Sequence, residues 1–221
     1  MTSLLFDPRN IRMRTCDGLS QLGFAVRYDH LPLVFSPGED VMLRPLRELE
    51  SRAAILNIVQ ARVFDMPPPM AMRWLLDAHV LEELTPQEWQ FIASGRGDAR
   101  RYSEQLESLY ALAWLLGLVP HLDPSSYCTD SLPTLMPDLR TAEPFTAWRA
   151  RTLPSRRDAR DVAEMLDLYC CLDWLCAESR QHGVRPPTAL DESVIWHRRW
   201  ALEWAVMTSR NGRPIATSWE R

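Results

Sequence analysis

The side chains with which this 221-residue chain could do chemistry are defined first by one that is missing. All 25 of its positive charges are arginine, and no lysine occurs. Without an ε-amine there is no Schiff-base nucleophile and no lysine to hold a nucleotide's phosphates. Pyridoxal chemistry, protein-kinase chemistry and Walker-type hydrolysis are therefore excluded. The histidines (His30, His79, His121, His182, His197) are scattered, and there is neither a His-Glu-x-x-His helix nor a paired Cys-x-x-Cys set. Metal ligands must converge at short spacing, so no metal and no cofactor is expected. The cysteines (Cys16, Cys128, Cys170, Cys171, Cys176) are odd in number and lack framework spacing, which reads as reduced thiols packed in a core. No Gly-x-Ser-x-Gly elbow is present, and no catalytic residue is assigned.

Three groups remain that could bind or catalyse. Asp158, Asp161, Glu164 and Asp167 recur at nearly helical spacing, where paired carboxylates could do acid–base work, although a solvated helix face is the plainer reading. Arg149, Arg151, Arg156, Arg157 and Arg160 form the densest basic cluster and could grip an anion bidentately, with the neighbouring acids as competing partners. Gly95-Arg96-Gly97-Asp98 resembles a fragment of a phosphate loop, but no strand precedes it, so it reads as a turn. Nine tryptophans are many for this length. Trp196, Trp200 and Trp204 recur at four-residue intervals and, with Trp174, are candidate aromatic anchors of a pocket or interface.

The elements that must position these groups are helical. Eight glycines against seventeen prolines suit helices punctuated by proline-rich connections better than hairpins. Apolar residues recur with helical period over 12–22, 46–64, 70–84, 106–116, 162–182 and 192–208, and a further helix starts at Thr85 ahead of the Gly95–Asp98 turn. Thr85-Pro86-Gln87-Glu88 reads as a capping box. Residues 120–157 hold six prolines among Leu132, Leu135, Met136, Leu139, Phe145 and Trp148, which predicts a proline-rich irregular wrap of short helical pieces. The expectation is an all-α fold, a single helical domain over 1–221 with six or seven helices and a short extended segment near residues 24–35. The net charge of −4 carries no basic half, so nucleic acid is not an expected partner. No apolar stretch reaches bilayer length and the opening residues lack a secretory h-region, so no membrane association is expected and the cytoplasm is the expected compartment.

Six pieces occur in an order that resembles the bacterial domain of unknown function 4272 family over nearly the whole length. They are Leu22-Gly23 with Leu31-Pro32; Leu43-Arg44 with Glu48-x-x-x-Arg52-Ala53 and Leu56; Leu84-Thr85-Pro86-x-Glu88; Tyr110-Ala111-Leu112-Ala113-Trp114-Leu115-Leu116-Gly117; Asp167-Leu168 with Leu172 and Trp174; and Val194-x-x-x-Arg198-x-x-Ala201-Leu202-x-Trp204. The sequence departs from the family at His197-Arg198, where a Glu-Arg pair is expected, at Glu203 for an asparagine, and at Cys170-Cys171 for a Tyr-Arg pair.

The resemblance implies no activity. It marks Arg44, Glu48 and Arg52 as polar positions matching the family pattern, with Glu48 and Arg52 at ion-pair spacing on a helix. Together with Asp167 and Arg198, which sit on two long apolar helices, these charges read as knitting helices together, and a polar cleft or interface is the sharper alternative. The expected function is a non-enzymatic binding protein, of the kind represented by an immunity protein that neutralises a cognate bacterial toxin. The alternative is a binder of small anions, or an enzyme, with an Asp167/Arg198-lined cleft between helices. A homodimer joined through its tryptophans is a third option.

Overall fold

Proline sets several of the helix starts. It stands in the first turn of α1 (Pro8–Gln21), α3 (Pro68–Asp77), α4 (Pro86–Ser94) and α7 (Leu132–Leu135), where its missing N–H would have had no helical partner. The computed structural model describes residues 7–24, 26, 31–152, 156–183, 189–208, 213–214 and 219, and these are mostly helical. Their contacts group the chain into two compact units that alternate along the sequence. One comprises 1–44, 123–127 and 158–217, the other 45–122, 128–157 and 218–221.

In the first unit α1 packs on the long helix α9 (Ala159–His182), which also packs on α10 (Glu192–Ala205). Aspartates cap three of its helices. Asp7, Asp158 and Asp191 each accept a hydrogen bond from a backbone N–H of the first turn, satisfying donors the helix cannot. Gly183 ends α9 in the left-handed conformation, φ 65°, which glycine adopts without a Cβ clash. The expected stop at Pro186-Pro187 lies outside the described residues.

A small antiparallel sheet completes this unit, with β1 (Val41–Leu43) paired to β2 (Val206–Thr208) and β2 to β3 (Arg213–Pro214). Extended pairing therefore occurs at 41–43. Residues 24, 26 and 31–35 form no strand, and the remainder of the 24–35 stretch is outside the described residues. The physical reason is the partner: β1 pairs where α10 runs straight into extended backbone at Val206.

The second unit is organised around α2 (Leu46–Val63), which packs against α3, α4, α5 (Ala99–Glu104) and α6 (Leu106–Leu115). Every residue from Leu49 to Leu56 is buried, so this helix has no solvated face over two turns. Its polar side chains must then find partners inside. Asn57 donates to the Pro137 carbonyl at 3.1 Å, Gln60 to the Tyr102 carbonyl at 2.7 Å, and Glu50 accepts from Arg149.

The stripe expected from Leu106 is α6, and a short helix the sequence did not announce, α5, precedes it, started by Asp98 accepting from the Arg100 N–H at 2.9 Å and ended at Gln105. Gly95-Arg96-Gly97-Asp98 is the turn between α4 and α5. Gly95 lies in the left-handed region, and a Cβ on Gly97 would stand 3.0 Å from the Tyr102 ring. Residues 120–157 contain the short helices α7 and α8 (Phe145–Thr152), with Trp148 fully buried and its indole N–H donating to the Leu135 carbonyl at 2.9 Å.

The capping box at the start of α4 is present in full: the Thr85 hydroxyl accepts from the Glu88 N–H and the Glu88 carboxylate from the Thr85 N–H. Replacing Thr85 with Ala leaves one buried-end donor without its acceptor. A loss of about 1 kcal/mol is expected, read by urea denaturation.

Candidate functional site

The charged residues marked by the sequence are positioned by the helices just described, and most of them face inward. Asp167 is reached by Arg12 of α1, a residue the sequence reading did not single out. The Arg12 Nε–H donates to both Asp167 oxygens (3.2 and 3.0 Å) and its Nη2 to Oδ1 at 2.8 Å. Arg12 also donates from Nη1 to the Leu31 carbonyl at 2.9 Å and from Nη2 to the Pro32 carbonyl at 3.0 Å. Both side chains are buried. A buried ion pair holds only when its remaining donors are also satisfied, and here they tie α1, the chain at 31–32 and α9 into one node.

Arg198 is also buried and takes different partners. Its Nη1 donates to the Tyr169 hydroxyl at 3.0 Å and to the Asp123 carbonyl at 2.6 Å, and its Nη2 to the Ser126 carbonyl at 2.8 Å. Asp167 and Arg198 thus lie on neighbouring helices without pairing to one another. Arg198 fixes the 123–127 segment on the first unit. In that segment the Ser125 N–H and hydroxyl bind the Asp123 carboxylate and hold it below the usual range.

Arg44 belongs to the same unit, following β1. Its Nε–H donates to the Trp204 carbonyl at 2.6 Å and its guanidinium lies 4.5 Å from the Trp204 ring centroid.

Glu48 and Arg52 belong to the second unit, on α2. Arg52 donates from Nη1 to both oxygens of Glu88 (2.8 and 2.9 Å) and from Nη2 to the Glu83 carbonyl at 2.6 Å, while its guanidinium lies 5.1 Å from the Trp219 ring. Glu88 therefore serves two purposes, closing the capping box and pairing with Arg52. Burial pushes the nearby Glu83 carboxyl upward, opposed by the neighbouring Ser51 hydroxyl and by Arg47 and Arg52.

The aromatic anchors divide by burial. Trp200 and Trp204 are core residues of the first unit, while Trp174 and Trp196 are half-buried, with Trp196 stacked on Trp200 at 6.3 Å. The acidic run also divides: Asp158 caps α9, Glu164 pairs with Arg14 and Arg160, and Asp167 turns inward. Within the second unit three members of the basic cluster have partners, and Arg156 is exposed. Arg149 pairs with Glu50, Arg151 with Glu143, and Arg157 donates to the Val119 and Pro120 carbonyls beneath the Trp114 ring. Among the described residues no group of three or more His, Cys, Asp or Glu side chains is placed to hold a metal ion, and no helix is long and apolar enough to cross a membrane.

A family model described as a domain of unknown function, DUF4272, matches residues 12–220. The chain belongs to the DUF4272 family. Neither a curated protein nor a solved structure matches it. The positions at which this DUF4272 chain departs from its family pattern have their own local structure. His197 is buried and edge-on to Trp196, and Glu203 lies 3.6 Å from Arg199, which pairs with Asp173 of α9 at 2.7 Å. Burial pushes the Cys170 thiol up and the Cys171 thiol to about 12, so neither is a thiolate at neutral pH.

Of the residues the sequence reading missed as partners, Glu88 carried a usable signal in its capping box. Arg12, Tyr169 and Trp219 carried none, since nothing in their spacing announces a contact with a distant helix.

Two outcomes check this arrangement. Arg12→Met or Asp167→Leu alone leaves an uncompensated buried charge and is expected to cost about 3–5 kcal/mol. The double variant is expected to cost less than the sum, measured as a double-mutant cycle by chemical denaturation. At pH 8 a thiol-alkylating reagent is expected to leave Cys16, Cys171 and Cys176 unlabelled in the folded chain and to label all five cysteines in denaturant, read by peptide mass.

Proposed function

We propose that this DUF4272 chain is a non-enzymatic binding protein whose partner is another protein, acting as an immunity protein that neutralises a cognate bacterial toxin in the cytoplasm. The observation that carries this reading is a set of large apolar side chains held out in solvent on consecutive elements of the second unit. Phe64 follows α2 and is 77% exposed, Met70 and Leu76 stand on α3 at 49% and 58%, and Trp89 on α4 is 44% exposed. Helices α3 and α4 pack against each other, and the exposed residues of α3 also include the Arg73–Asp77 ion pair. Aromatic and methionine side chains beside paired charges are the composition of an interface core and its polar rim. The net charge of −4 suits a basic partner.

Growth rescue tests the proposal. Toxin-domain proteins encoded by neighbouring genes are produced with and without this chain, and the complex is titrated with purified components. Rescue by the wild-type chain is expected. Leu76→Glu and Trp89→Ala are each expected to weaken binding about tenfold or more with an unchanged melting temperature, because exposed anchors contribute to association and little to folding. Absence of rescue, or full binding by both variants, overturns the reading.

A further inference from the structure

Helix α3 buries one side and turns the other to solvent. Ala71, Trp74 and Leu75 are buried, while Met70, Arg73, Leu76 and Asp77 are exposed, at a spacing that places all four on one side of a helix. Two large apolar side chains thus share the outer face with two opposite charges one turn apart. The Arg73 Nε stands 3.8 Å from the Asp77 carboxylate, beyond hydrogen-bond distance, and both side chains are mostly in water. So loose a pair adds little to the fold and keeps hydrogen-bonding capacity for a second molecule.

The order of these residues makes the face complementary to itself. An antiparallel copy of α3, related by a two-fold axis at the level of Leu75, sets position 73 of each chain opposite position 77 of the other. Arg73 then meets the copy's Asp77, and the same contact forms a second time by symmetry. Leu76 is one residue from the axis, about 3 Å along the helix from the copy's Leu76. Apolar contact at the axis and charge pairing beside it come from one arrangement.

We infer that this face of α3 is a homodimer contact, covered in the free chain by α3 of a second copy, with two reciprocal Arg73–Asp77 ion pairs beside a Leu76–Leu76 contact. This goes beyond the partner reading, since the copy holds a face that a toxin would have to take from it.

Sedimentation of the full chain tests the inference. The wild-type chain is expected to dimerise reversibly at about 100 μM and to dissociate at about 1 μM, as a small contact does. Arg73→Glu sets acids against acids across the axis, and Asp77→Arg sets arginines against arginines. Each is expected to weaken the dimer about tenfold or more, with the melting temperature of the dilute chain unchanged. An equimolar mixture of the two single variants is expected to recover a heterodimer, because each supplies at both contacts the charge that the other lacks. Both variants stay net negative, so bulk attraction does not account for that recovery.

A dimer that neither charge reversal weakens, or a mixture no more associated than its components, overturns the inference. So does a wild-type chain that stays monomeric at about 100 μM; that result leaves the partner reading standing, because growth rescue needs no second copy.

Discussion

A guanidinium withdrawn from water carries five N–H donors and a charge, and each donor left unanswered inside the protein costs free energy. In a chain whose every cation is arginine, this constraint shapes the interior. Arg12 and Arg198 in the first unit and Arg52 in the second are buried, and each fans its donors across carboxylates, carbonyls or a hydroxyl from separate stretches of sequence. Because the fork is planar and rigid, meeting these donors fixes direction as well as distance. The result is three nodes at which helices are held by geometry in addition to apolar packing.

That use of charge bears on function. The positions marked by the family pattern, Arg44, Arg52, Asp167 and Arg198, are tied to backbone carbonyls, opposite charges, a tyrosine hydroxyl or tryptophan rings. These side chains act first on the fold. The large apolar side chains exposed on α3, α4 and the end of α2 are different in kind, and stand beside paired charges. The proposed protein partner follows from that outward face.

Several elements were legible in the sequence for identifiable reasons. The capping box at Thr85–Glu88 was readable because cap chemistry is local: both partners lie within four residues. The all-α class was readable because apolar period and proline punctuation are properties of short windows. The short helix α5 was missed because six residues are too few to show an apolar period, and the Asp98 cap that starts it makes one local bond. The strand at 41–43 was not legible because a three-residue strand is defined by its partner at 206–208 and carries almost no pattern of its own.

The candidate site shows the same boundary. Sequence alone determined that lysine chemistry is excluded, that helices dominate, that the chain resembles its family, and which acids and arginines were worth watching. Tertiary structure alone decided their partners: Asp167 with Arg12 instead of Arg198, Arg52 with Glu88 and Trp219, and Trp200 and Trp204 in the core. The reason is range. Helical periodicity and caps are set by neighbours along the chain, whereas the partner of a buried charge is set by which distant segment folding brings within hydrogen-bond reach, and spacing in the sequence carries no record of that distance.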